Sequence, residues 1–144
     1  MKKEDIMTIK EFQDLEKVVE EELKMPDGLR DVIDKNNYLP TLIGKYQKLY
    51  ANQTYIVKKL EIDAAEKYGE LVKYYKFQDS FSWSNAKEID SQINANPEYC
   101  KILREINQQK YFLNFITETL SNMKNLAFVI KNYIDYKKIT VSNI

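Results

Sequence analysis

An all-α fold is predicted for this chain, and three features of the sequence predict it. Only three glycines and three prolines are spread over 144 residues, whereas a many-stranded β fold needs a turn roughly every 8–12 residues. Apolar side chains recur at three- and four-residue spacing through long stretches without a breaker, which is the period of one helix face. Apolar residues make up 44% and charged residues 31% of the chain, a balance that belongs to a folded protein rather than a disordered one. The length is one domain's worth.

Thr8-Ile9-Lys10-Glu11 has the form of a capping box, with Thr8 accepting from the backbone and Glu11 reaching back. Ile9, Phe12, Leu15, Val19 and Leu23 follow at helical spacing, so an amphipathic helix of about four turns is expected. Met25-Pro26-Asp27-Gly28 reads as the turn that closes it. A short helical piece is expected around Leu29 to Ile33, and Asn36-Asn37-Tyr38-Leu39-Pro40 is expected to break the chain again. The first long helix then opens at Pro40 or Thr41, where proline is tolerated in the first turn, and runs to about Gln78. Its apolar stripe is Ile43, Tyr46, Tyr50, Val57, Leu60, Ala64, Leu71 and Tyr75, with Leu42, Leu49 and Ile56 beside it.

Residues 79–85, polar apart from Phe81 and Trp83, read as a connector, and residues 86–95 as a short helix with Ile89 and Ile93 on one side. Asn96-Pro97-Glu98 is a start signal: an asparagine cap, a proline in the first turn and an acid at the positive helix end. The last helix carries two interleaved seven-residue series. Tyr99, Ile106, Leu113, Leu120, Ala127 and Ile134 form one; Ile102, Gln109, Ile116, Met123, Ile130 and Lys137 form the other. Such a seam suits packing against another long helix, here with polar exceptions at Gln109 and Lys137. Leu103, Phe112, Phe115, Leu126, Phe128 and Tyr133 add apolar surface outside the seam, and that surplus predicts self-association. Two regions are expected, an acidic helical part over 1–38 and a long-helix hairpin over 39–144.

Net charge is zero, but residues 1–38 hold 7 basic and 11 acidic side chains, while residues 39–144 hold 15 basic and 11 acidic. A mildly basic body is thus joined to an acidic amino-terminal part. Cys100 is the only cysteine, which excludes an internal disulfide and suits a reducing compartment. No apolar run approaches the ~20 residues of a membrane span, and Met1-Lys2-Lys3-Glu4-Asp5 leads into an acidic helix rather than an apolar signal core. No membrane association and a cytosolic location are expected.

Histidine is absent, which removes Ser-His and Cys-His nucleophile systems and histidine metal sites. The three glycines, Gly28, Gly44 and Gly69, build no phosphate loop. Glu61, Asp63, Glu66 and Glu70 lack the Glu-x-x-His pairs of a di-iron bundle and are expected to pair with Lys58, Lys59 and Lys67. No enzyme activity, cofactor or metal is expected. Binding chemistry is better represented, with eleven tyrosines and six phenylalanines. The densest segment is Lys67-Tyr68-Gly69-Glu70-Leu71-Val72-Lys73-Tyr74-Tyr75-Lys76-Phe77. Lysines there can neutralise phosphates while aromatic faces stack on unpaired bases. Alternatively, the tyrosines serve as core and the lysines only solubilise. Lys124, Lys131, Lys137 and Lys138 form a second basic cluster, opposed by Asp135.

Leu39-Pro40-Thr41-Leu42, Lys45-Tyr46-x-Lys48 and Lys58-Lys59-Leu60-Glu61 through Tyr74-Tyr75 resemble the first long helix of UvsY-type recombination mediators of large tailed phages. The stretch from Leu120 to Asp135, above all its Phe-x-Ile-Lys-Asn-x-Ile-Asp core, is similar to that family's final helix. The resemblance covers roughly residues 38–138. It implies a helical protein that assembles into a closed ring of six or seven subunits and binds single-stranded DNA. It further implies a protein that loosens the phage single-strand-binding protein and helps load a UvsX-type recombinase in the cytoplasm of the infected bacterial host. The expected DNA-binding residues are Lys58, Lys59, Lys67, Lys73, Tyr74 and Lys76 on the first long helix, and Lys124, Lys131 and Lys138 on the last. Ile106, Leu113, Ile116, Leu120, Met123, Ile130 and Ile134 are expected to form the core and the oligomer contacts. One departure matters: Gly69 and Leu71 stand where some members carry a Lys-x-Arg pair implicated in DNA contact. A structural helical scaffold that binds no DNA would share the heptads and the assembly.

Overall fold

A computed structural model describes residues 6–77 and 85–142. It comprises four helices: α1 (Ile9–Glu22), α2 (Leu29–Phe77), α3 (Ala86–Asn94) and α4 (Pro97–Ser142). All regular structure among the described residues is helical, and none of these helices is long and apolar enough to cross a membrane. Most of the connector expected over 79–85, with Phe81 and Trp83, lies outside the described residues.

The local start signals act as their chemistry dictates. The Thr8 hydroxyl accepts from the Glu11 amide at 3.1 Å, and the Glu11 carboxylate accepts from the Thr8 amide at 3.4 Å, completing the capping box. Asn85 caps α3 by accepting from the Glu88 amide at 2.9 Å. Asn96 Oδ1 accepts from the amides of Glu98 and Tyr99 at 3.0 and 3.1 Å, directly before Pro97.

The expected break at Asn36–Pro40 does not occur: α2 runs unbroken from Leu29, and Pro40 sits inside it. An interior proline costs about 3 kcal/mol, through a lost hydrogen bond and a clash with the carbonyl four residues back. Here that carbonyl belongs to Asn36, and both residues lie on the exposed side of the helix. On the other side Val32, Leu39, Leu42 and Tyr46 are almost completely buried. Each such side chain contributes roughly 1.5–3 kcal/mol, so the face they share outweighs the proline.

The chain forms two compact units. The first contains Ile6 and Gln53–Tyr111. In it α2 and α4 run antiparallel, as their pairings from Gln53–Gln109 to Tyr75–Asn96 require. Leu60, Ala64 and Ile106 form one core cluster; Leu71 joins Ile89 and Ile93 of α3 in another. Gln109, the polar exception in the heptads, is buried with Gln53. Gln53 Nε2 donates to the Gln109 side-chain oxygen at 2.7 Å and to its backbone carbonyl at 3.1 Å, so the pair meets the requirement that buried polar groups be bonded. Gln53 itself fills the three-then-four spacing between Tyr50 and Val57. Tyr50, placed in the stripe by sequence, is exposed.

The second unit holds Met7–Asn52 and α4 from Phe112 onward. Val19, Val32, Leu39, Leu42, Tyr46, Met123, Leu126 and Ile130 form its core, with Leu120 and Ile134 packed against it. The acidic α1 docks here on its own chain. Phe12 stacks on Phe112, with centroids 4.3 Å apart, and meets Phe115 edge-on at 5.1 Å. At its end, Glu22 accepts from Lys45 Nζ at 2.9 Å and from the Tyr46 hydroxyl, while Lys35 Nζ donates to the Glu22 carbonyl. Burial pushes the Tyr46 hydroxyl well above the ordinary phenol range, and its bond to Glu22 adds to the shift.

Part of the apolar surplus on α4 is thereby covered within the subunit. Phe112 and Leu126 are buried, and so is Thr119, whose hydroxyl donates to the Phe115 carbonyl at 2.9 Å. Phe128, Val129, Tyr136 and Ile139 stay exposed.

Candidate nucleic-acid interface

On α2 the inward residues fix which side chains face solvent. Leu71 is buried and Tyr68 and Tyr75 are half-buried against the α3 cluster, so the last two turns of α2 present Lys73, Tyr74, Lys76 and Phe77 outward. Tyr74 is 56% and Phe77 76% exposed, and Lys76 Nζ stands 6.0 Å from the Phe77 ring. Tyr74 meets Tyr75 edge-on, 5.2 Å between centroids. Lys58 and Lys59 are exposed one stretch earlier, with Lys59 Nζ 5.8 Å from the Tyr55 ring.

Tyr55 and Ile62 are exposed around that lysine pair, and sequence reasoning passed them over. The signal was present: Tyr55, Lys58, Lys59 and Ile62 fall at i, i+3, i+4 and i+7, one helical face.

Lys67 differs from the other lysines. Its side chain is only 25% exposed, and Nζ lies 2.6 Å from Glu98 Oε2 on α4 and 3.9 Å from Glu70. The hydrogen bond that Lys67 donates to Glu98 holds the ammonium above its ordinary range, and the same bond holds the Glu98 carboxyl below its own. Glu61, expected to serve a lysine on its own helix, instead reaches Lys110 of α4 at 3.1 Å. The Tyr68 hydroxyl donates to Asp90 at 2.6 Å. These pairs are solvent-exposed and individually weak, but they place acids among the cations of this face.

In the second unit, Lys124, Lys131 and Lys138 are exposed and seven residues apart, one stripe of α4. Phe128, 66% exposed, falls between the first two. Lys137 is half-buried, with Nζ 5.6 Å from the Tyr133 ring. The expected site residues are thus divided: six in the first unit and three in the second. Of the expected core set, Ile106, Ile116, Met123 and Ile130 are buried, while Leu113, Leu120 and Ile134 are half-buried.

Chemically, both stripes offer ammonium groups beside exposed aromatic faces. That combination suits a sequence-tolerant single strand. Among the described residues, no cluster of three or more His, Cys, Asp or Glu could hold a metal ion.

A family model described as "Recombination, repair and ssDNA binding protein UvsY" matches residues 28–143. The fold is similar to the crystal structure of the bacteriophage T4 recombination mediator protein UvsY, with a TM-score of 0.77 and 16% sequence identity over 93% of this chain and 99% of that one. At that identity the likeness is one of fold. No curated protein sequence matches the chain.

Proposed function

The chain belongs to the UvsY family of recombination, repair and single-stranded-DNA-binding proteins, and from that premise we propose that it binds single-stranded DNA through the lysine–aromatic face of α2 and hands the strand to a recombinase. The observation that carries this function is the exposed run Lys73, Tyr74, Lys76 and Phe77. Exposing two large aromatic side chains beside lysines gains nothing for folding, and it gives a strand both a stacking platform and a charged track. Lys58, Lys59 and Lys67 extend the track along α2, and Lys124, Lys131 and Lys138 form a second one on α4.

A neutral chain with short tracks binds weakly as a single copy. Assembly into a closed ring of six or seven subunits multiplies each track through effective concentration. The burial of Ile106, Ile116, Met123 and Ile130 within the subunit favours an assembly surface on other residues. Val129, Tyr136 and Ile139 occupy one exposed apolar face of α4 and are the contacts proposed for it. In the cytoplasm of an infected bacterial host, such a ring would loosen the phage single-strand-binding protein and favour filament growth by a UvsX-type recombinase.

The mediator step is tested by recombinase filament assembly on a strand already coated with single-strand-binding protein. Adding the chain should shorten the lag in strand-dependent ATP hydrolysis several-fold. An unchanged lag, with strand binding intact, would leave a strand-binding protein that is not a mediator.

A further inference from the structure

We propose that the cleft between the end of α2 and the first turn of α4, in the first unit, seats one nucleotide of a single strand, with Glu98 holding Lys67 in place of a backbone phosphate until the strand displaces it. The inference rests on the strand-binding function proposed above and assigns it a seat and an internal competitor.

The cleft measures about 480 Å³ and is lined by Lys67, Glu70, Leu71, Tyr74, Tyr75, Asn96 and Glu98. That volume lies within the range of small-ligand sites. Leu71, Tyr74 and Tyr75 give the lining an apolar, aromatic part that suits the face of a base. Asn96 belongs to its polar part. Asn96 Oδ1 is committed to capping α4, while its Nδ2 donates to the Tyr75 hydroxyl at 3.2 Å. A side-chain amide nitrogen carries two N–H groups, so Asn96 has a second one for a base edge.

The Lys67 ammonium stands 3.9 Å from Glu70 Oε2 and 2.6 Å from Glu98 Oε2. A non-bridging phosphate oxygen would meet the same ammonium at the same distance. The position is doubly favourable to an anion, because Glu98 lies in the first turn of α4, where the helix end is positive. Glu98 is itself 74% exposed, so its carboxylate can swing into solvent when a phosphate takes its place. A strand held against such a competitor binds less tightly than its lysines alone would allow. It is also released more readily, which suits a protein that passes the strand on.

The test compares the full-length chain with Glu98→Gln, using a fluorescent oligothymidylate titrated over a series of salt concentrations. Glu98→Gln should tighten binding roughly three- to fivefold near 0.1 M salt and steepen the slope of log K against log salt by about 0.7 for each seated phosphate. Adding Lys67→Gln to Glu98→Gln should cancel the gain. A gain that persists without Lys67 would reflect net charge alone and overturn the inference. An abasic strand of the same length should bind the wild type more weakly than oligothymidylate, and Tyr74→Ala should narrow that difference. Equal binding of the two strands by the wild type would overturn the base seat. If the wild type binds the strand and Glu98→Gln matches it in affinity and slope, this inference alone fails. If neither binds any strand, the function proposed above fails with it.

Discussion

Ile130→Lys is expected to unfold the second unit rather than only to separate subunits. Ile130 is completely buried, in one cluster with Leu42, Tyr46, Met123 and Leu126. Truncating such a side chain costs about 2–5 kcal/mol through lost burial and the cavity left behind, and an ammonium in its place adds a desolvation penalty of several kcal/mol. Against a total stability of roughly 5–15 kcal/mol, a loss on the order of 4 kcal/mol or more is expected. Urea unfolding followed by helical circular dichroism measures it. A companion change, Val129→Lys, lies one residue away on the exposed side and should keep the unfolding midpoint while lowering the mass of the assembly. If Ile130→Lys instead keeps the wild-type midpoint and only lowers the mass, Ile130 belongs to a subunit contact and the core described above is misplaced.

Changing Lys73 and Lys76 together to alanine is expected to weaken strand binding roughly ten- to thirtyfold near 0.1 M salt, since each phosphate contact contributes about 0.7 to the salt exponent. Both lysines are exposed on a helix, and alanine is at least as good a helix former, so fold and mass should not change. The salt slope should become shallower by roughly 1.4, for two lost contacts. Anisotropy titrations at four or five salt concentrations give both quantities. Wild-type affinity and slope in the double variant would move the strand to the stripe of Lys124, Lys131 and Lys138.

Much of this architecture is local and therefore legible in the sequence. The capping box at Thr8, the cap at Asn96 and the seven-residue series on α4 all depend on neighbours within one or two turns, and α1, α3 and α4 form close to where the sequence places them, whereas α2 begins at Leu29, well before Pro40. Pro40 was misread because its cost is local, whereas the burial that offsets it comes from side chains of α1 and α4. Gln109 was visible as an exception in the heptads; its partner Gln53, 56 residues away, needed the packing of α2 on α4.

The candidate site divides in the same way. Spacing shows that Lys73, Tyr74, Lys76 and Phe77 can share an outward surface once Leu71 and Tyr75 point inward. Spacing cannot show that Lys67 is held by Glu98, a residue beyond α3 and at the start of another helix. A lysine expected to pair within its own helix is thus held by a carboxylate of another. The surplus apolar surface of α4 was likewise countable but not divisible. Phe112 and Leu126 are covered by the subunit itself, while Phe128, Val129, Tyr136 and Ile139 remain open.

The central claim, that this chain is a strand-binding assembly, is tested most directly by titrating a fluorescent single strand of several tens of nucleotides at low and near-physiological salt, with the mass of the protein measured in parallel. The account predicts a ring-sized oligomer that binds tightly at low salt and loses affinity steeply as salt rises, because bound lysines release counterions. A well-formed oligomer with no affinity for the strand at low salt would contradict it and leave a helical scaffold in its place.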